Sequence, residues 1–302
     1  MESLLGKGRS STSHACRIVR KEIRRAARKL DGALTDDEAI HDARRHIKRA
    51  RATLRLMRPA LGASAYRAGD TLLSRAARPL GKVRDGEILI ANLDGLLPRY
   101  RGASPIHGTH TLRRALAVSL ANQRDRVLTG GKGLKDTHRL LRKARRCASR
   151  WPTHRRDADK LLEGLRKNYG KGRRALAAAR ADSSAETLHE LRKQAKYLAH
   201  QLRLFAPAKT SALGRLAASF HQLSDDLGED HDLAILQQQV NALPEIFPEP
   251  QSQTRLVTLI EQRRTALQKK SLLRAETLYR QKAGRFTRAV RAACRSAKGK
   301  KS

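Results

Sequence analysis

Ala39-Ile40-His41-Asp42-Ala43-Arg44-Arg45-His46-Ile47-Lys48 and Thr187-Leu188-His189-Glu190-Leu191-Arg192-Lys193-Gln194-Ala195-Lys196 stand 148 residues apart, and each sets a row of cations beside a row of apolar side chains. At about 100° per residue, His41, Arg44, Lys48, Arg51 and Arg55 share one face of a helix, with Ile40, Ala43, Ile47, Ala50 and Leu54 on the adjoining face. His189, Arg192, Lys196 and Arg203 repeat the arrangement beside Leu188, Leu191, Ala195, Leu198 and Leu202. Each helix is therefore expected to bury one edge and keep the neighbouring cations at hand for a long polyanion.

The repetition extends outward from these two stretches. Leu80-Gly81-Lys82-Val83-Arg84-Asp85 aligns with Leu227-Gly228-Glu229-Asp230-His231-Asp232 at an offset of 147, which matches Asp85 to Asp232. Motifs recurring in one order at nearly constant offset imply two related halves, each with enough helix for a four-helix bundle. Nearly every segment between breakers shows 3.6-residue periodicity and none alternates for long, so the predicted class is all-α. Helices are expected over 13–30, 35–58, 65–97, 109–128, 134–150, 155–180, 185–205, 210–242 and 252–292. Thr35 and Glu38 have the spacing of a capping box at the start of the first stripe helix. The organisation that follows is a flexible tail (1–12), a first half (13–155), a second half (156–292) and a basic carboxy-terminal tail (293–302). Pairing the halves about a pseudo-two-fold axis would let both stripes border one groove or channel.

Composition points to the same class of partner. The formal net charge is +37, with 65 Lys and Arg against 28 Asp and Glu, far more positive than solubility requires. Aromatic residues make up only 3% of the chain, too few for stacking platforms under single-stranded nucleic acid. Cys16, Cys147 and Cys294 are far apart and odd in number, which argues against a disulfide framework and for a reducing cytoplasm. The apolar region 88–97 is broken by Asn92 and Asp94 and is too short to cross a bilayer, so no membrane partner is expected.

At this point the residues resemble the CHAD domain family (conserved histidine α-helical domain). His41/Arg44/Lys48 with Arg84/Asp85, and His189/Arg192/Lys196 with Asp232, match the family's His, Arg and Lys spacing and its downstream Leu-Gly and Asp. The segment from Tyr169 to Leu176 also looks like the one preceding the second histidine motif. The resemblance implies two pseudo-symmetric four-helix bundles around a basic central channel that binds inorganic polyphosphate at polyphosphate granules. On it, the polyphosphate-binding residues are His41, Arg44, Arg45, Lys48, Arg51, Arg55, Lys82, Arg84, Tyr169, Arg173, His189, Arg192, Lys193, Lys196 and Arg203, supported from behind by Asp85 and Asp232. The channel would also accept phosphate or sulfate ions. Arg45 stands where the family usually has an apolar residue, and Ala199 and His200 replace an Arg and an aromatic, so the second stripe is the less basic of the two.

Polyphosphate lacks bases, so its receptor needs cation density and shape rather than edge-reading groups: Arg forks that grip oxygens and Lys point charges. His41 and His189 lie in the first turns of their helices, where amides and the helix dipole favour an anion; each is expected to donate to a phosphate oxygen or to lean on an acid such as Asp85 or Asp232. Isolated arginines such as Arg146 and Arg264 read as solvated surface. No metal-ligand spacing, P-loop or paired acidic motif is present, so neither cofactor, metal nor catalytic residues are expected. The alternatives are a basic helical nucleic-acid binder and a phosphohydrolase acting on polyphosphate.

Overall fold

The computed structural model describes residue 4 and residues 11–31, 37–102, 104–128, 132–151, 158–206 and 208–299. Among them the chain forms ten α-helices and two short 3-10 turns: α1 (Ser11–Asp31), α2 (Asp37–Leu56), α3 (Arg58–Leu96), α4 (Thr109–Leu128), α5 (Lys132–Ser149), α6 (Ala158–Ala181), α7 (Ala185–Phe205), α8 (Ala212–Ala242), α9 (Pro250–Tyr279) and α10 (Ala283–Gly299). The all-α reading holds. One packing scheme occurs twice: α1 on α2, α2 on α3, α3 on α4 and α5 on α1, then α6 on α7, α7 on α8, α8 on α9 and α10 on α6.

Periodicity explains the scheme. In α1 the buried positions Ala15, Cys16, Val19, Glu22, Ile23, Ala26 and Leu30 recur one helical turn apart, and in α6 Leu161, Leu162, Leu165, Asn168, Tyr169, Gly172 and Leu176 follow the same spacing. Helices α1, α2, α3 and α5, together with α6, α7, α8 and α10, pack around one continuous apolar core that includes Ile47, Leu54, Leu73, Leu141, Leu165, Leu198, Phe220 and Val290. The far ends of α3 and α8 continue beyond it. There Leu93 and Leu96 meet Leu112 and Leu116 of α4, and Leu233, Leu236 and Val240 meet Leu256 and Ile260 of α9, in a second core. Eight helices thus share the first core, and α4 and α9 pack on the long arms of α3 and α8.

Several boundaries move. The helix expected over 252–292 is broken at Arg280 to Lys282, giving α9 and α10. The basic tail expected after residue 292 is helical through Gly299, because Phe286, Val290 and Cys294 continue a buried stripe. The amino-terminal stretch expected to be flexible is pinned at Leu4, which is buried and whose amide donates to Leu204 O at 2.8 Å. Arg58 and Pro59 open α3 rather than close α2, and Gly62, at φ 79°, kinks it. Ser184 caps α7 by accepting from the Thr187 amide, and Ser211 does the same for α8 at Gly214. Thr35 and the boundary expected at 155–156 lie outside the described residues.

The two sets of helices meet where α3 packs on α8 and α6 and where α2 packs on α7 and α6. Gly164 sits against the end of α2, and a Cβ there would lie 1.9 Å from Leu56 O, so only glycine permits that approach. Beside it, Asn168 Nδ2 donates to Gln201 Oε1 at 3.1 Å and Gln201 Nε2 donates to Ala52 O at 3.1 Å. All three residues are buried. This polar chain ties α6, α7 and α2 at one point, since any slippage would leave buried amide groups unsatisfied.

Candidate functional site

The stripe helices cross each other. Ala52 of α2 lies against Gln201 of α7 at the crossing, and the cations of both helices gather on either side of it. Arg55 stacks its guanidinium 4.3 Å above the Tyr197 ring, beside Lys171, Arg58 and Arg174. Burial, then Arg55 and Arg58, hold the Lys171 ammonium below its ordinary pKa. On the other side Arg203 faces Arg49. Burial and then Arg49 lower the Arg203 pKa, opposed by Asp225. His200 lies in the same group: burial, followed by Arg203, Lys196, Arg49 and His221, pushes its imidazole down to about 3, so it is neutral at pH 7. Lys196 joins the two stripes. Its ammonium is held low by burial, then by Arg192, with Arg44 of the opposite helix adding to the repulsion and Asp225 and Asp232 opposing it.

The repeated Leu-Gly motif meets the stripe arginines here. The Arg44 guanidinium lies against Gly81 on α3 and donates to Leu80 O at 3.2 Å and to Gly81 O at 2.6 Å. Arg192 lies over Gly228 on α8 in the same way. A Cβ at Gly228 would stand 3.1 Å from its Nη2, and Arg192 reaches Asp232 at 3.8 Å. Gly228 leaves room for the Arg192 guanidinium, whereas Arg44 is held by its bonds to the Leu80 and Gly81 carbonyls, where a side chain at 81 would also fit.

Other candidates are distributed less uniformly. His41 and Lys48 are half-buried on α2. Arg51 is committed to Asp70 of α3 through Nε at 2.8 Å and Nη2 at 3.3 Å. Arg45 turns away from the stripe and pairs at 2.6 Å with Asp42, which also receives Lys29 of α1 at 3.0 Å. Lys193 pairs with Glu190. His189 packs its ring against His231 at a centroid distance of 4.7 Å instead of against an acid; burial, then His231, Arg192 and Lys193, lower its pKa. The side chains of Lys82, Arg84 and Asp85 lie outside the described residues, although the helix backbone runs through them.

Tyr169, expected among the polyphosphate-binding residues, lies in the core instead. It is fully buried, stacks on Phe286 at 3.9 Å and donates its hydroxyl to Leu278 O at 3.0 Å, while burial raises its pKa to about 12. An aromatic ring on the apolar face of α6 gains more from the core than from solvent. Arg173 is exposed on α6, and the α6 residues near the crossing are instead Lys171 and Arg174. Arg264 is no solvated arginine: it donates to Asp230 at 3.2 Å and to Gln237 at 2.9 Å.

Arg49, Tyr197, His221 and Asp225 are absent from the site expected from the sequence, which takes His200 only as a replaced aromatic. A signal for the first two was present, since Arg49 and Tyr197 are related by the same 148-residue offset that relates Arg55 to Arg203. Among the described residues no group of His, Cys, Asp and Glu could hold a metal ion, and no helix is long and apolar enough to cross a membrane.

The model of the CHAD domain matches residues 17–241. PptA from Streptomyces chartreusis has a similar solved structure, with a TM-score of 0.63 at 16% identity over 88% of this chain and 98% of that one. The CHAD domain from the plant Ricinus communis is also similar, with a TM-score of 0.58 at 18% identity over 94% of this chain and 91% of that one. No curated protein matches the sequence significantly.

Proposed function

The chain belongs to the CHAD domain family, and from that premise we propose that it binds inorganic polyphosphate, without turning it over, on the cations gathered at the α2–α7 crossing. One observation carries the reading: the fold brings Arg49, Lys196 and Arg203 of two halves together around a neutral His200, against their mutual repulsion and with Asp225 as the opposing charge. Half-buried cations facing one another cost stability that a multivalent anion returns. Arg44 and Arg192, flat against their glycines, offer pre-aimed donors along the approach. A phosphate polymer suits such a row because each residue contributes a negative oxygen and nothing has to be read between them.

On this reading the two halves are an internal duplication, the protein is cytoplasmic and its place is at polyphosphate granules. Arg51, Arg192 and Lys193 exchange carboxylate partners for phosphate as the chain settles, whereas Arg45 and Tyr169 take no part. Affinity falls steeply with salt, as cation-driven binding to a polyanion does. The test is competition at matched phosphate concentration and physiological salt between long-chain polyphosphate and duplex or single-stranded nucleic acid. Polyphosphate is expected to displace nucleic acid, and the reverse order would assign the crossing to nucleic acid. Incubation with polyphosphate and divalent metal is expected to release no orthophosphate above background; sustained release would make the protein a phosphohydrolase.

A further inference from the structure

Helices α1 and α5 hold a second concentration of positive charge, outside the crossing. An open cleft of about 610 Å³ runs between them, lined by Arg17, Arg20 and Arg24 from α1, Arg142, Arg145 and Arg146 from α5, and Ser149. The spacing creates it. On α1 the three arginines follow one another by three and four residues beside the buried Cys16, Val19 and Ile23; on α5 they flank the buried Leu141, Ala144 and Ala148. Two helices that pack by their apolar seams therefore raise two facing ridges of guanidinium. Among the described residues none of the six is held by a carboxylate; nearby, Glu22 takes Arg25 and His46, Asp31 takes His138, and Asp42 takes Lys29 and Arg45.

The second half makes a different use of the equivalent place. Matching the buried positions of α1 to those of α6 puts Glu163 where Arg17 stands, Arg166 where Arg20 stands and Gly170 where Arg24 stands. There Glu163 pairs with Lys167 at 2.6 Å, and Asp159 pairs with Arg291 of α10. Two acids thus take up basic side chains on the α6–α10 helices, while none of the six arginines of the α1–α5 cleft has such a partner among the described residues. Like charges across a helix pair destabilise the fold; Arg20 recurs as Arg166 in the other copy, whereas Arg17 and Arg24 have no basic counterpart there.

We propose that the α1–α5 cleft is a second polyphosphate site, so that one protein holds two segments of the polymer. This rests on the polyphosphate reading of the crossing. The lining supplies Arg forks for phosphate oxygens and one hydroxyl, with no aromatic ring on which a base could stack, which favours a base-free polymer over nucleic acid. Two sites, one between α1 and α5 and one between α2 and α7, make binding of a long chain bivalent.

The test is titration calorimetry with short-chain polyphosphate on three forms of the full chain: the unaltered protein, a cleft variant (Arg20→Gln, Arg24→Gln, Arg142→Gln) and a crossing variant (Arg49→Gln, Lys196→Gln, Arg203→Gln). The expected result is two equivalents bound by the unaltered protein and one by either variant, with the cleft variant losing roughly tenfold or more in affinity for long chains. A single equivalent that the cleft variant retains in full would overturn this inference and leave the crossing intact. Binding lost in the cleft variant and kept in the crossing variant would overturn the crossing instead. A cleft variant that loses duplex DNA but not polyphosphate would overturn the choice of ligand. Should the triple variant fail to fold, Arg24→Gln alone, on the exposed side of α1, carries the same test through the affinity for long chains.

Discussion

The two ends of the α2–α7 crossing are built from equivalent positions and behave in opposite ways. At one end Arg55 rests on Tyr197; at the other, the residues 148 positions away from these two, Arg203 and Arg49, put one cation against another. The first end is closed further by Gly164 against Leu56 O, while the second adds His200 and the His221–Asp225 pair at 3.1 Å. One tyrosine in place of an arginine thus converts a repulsive contact into an attractive one. The difference teaches that a stripe of cations is not uniformly available to a ligand: part of it holds the halves together, and part is left poised for an anion.

Reversing charge at the repelling end separates these roles most sharply. Arg49→Glu with Arg203→Glu is expected to lower polyphosphate affinity by about 4 kcal/mol, roughly a thousandfold, with helicity unchanged by circular dichroism. Retained affinity in that folded variant would remove this end from the site. At the closed end, Gly164→Val forces a side chain into Leu56 O and is expected to cost about 3 kcal/mol of unfolding free energy in urea. A stability equal to that of the unaltered protein would show that the halves do not depend on the close approach.

The pH response is expected to follow the repelling end. His200 has its pKa lowered in the folded state, to about 3 from 6.5, so the unfolded chain takes up its proton first. Its contribution to stability is therefore complete above pH 6.5 and is lost progressively as pH falls toward 3. Urea titrations across that range should flatten in His200→Gln, and an unchanged pH slope would place the imidazole in a less cationic setting. A bound polyanion raises the His200 pKa, so binding is expected to take up a proton.

Neutralising the two equivalent arginines gives the smallest effects, and opposite signs. Arg55→Ala removes the cation–π contact and is expected to destabilise the fold by about 1 kcal/mol. Arg203→Ala removes a like-charge contact and is expected to stabilise it by about 0.3 kcal/mol while weakening polyphosphate. Equal signs in thermal melts would mean that the two ends do not differ as described.

Much of this was legible in the sequence because helical periodicity is local. The stripes at His41 and His189, the Leu-Gly echoes and nearly all helix positions follow from spacing alone. Gly81 and Gly228 were visible as a repeat, yet their contact with Arg44 and Arg192 was not, because it depends on α3 and α8 lying beside the stripes. Tyr169 was misread for a related reason: periodicity places it on a face of α6 but does not say that Phe286 and Tyr279 cover that face. The α1–α5 cleft lay unnoticed because its six arginines belong to segments more than a hundred residues apart, each ordinary by itself.

The amino-acid sequence by itself determined an all-helical chain, its repeat and its excess of positive charge, since backbone propensity, apolar spacing and net charge are local or additive properties. Which cations face one another, which are consumed by Asp70, Asp42, Asp232 or Tyr197, and which remain for an anion was decided only by the tertiary structure. The reason is that electrostatic and packing energies depend on distances through space and on burial, and those are set by how the helices cross.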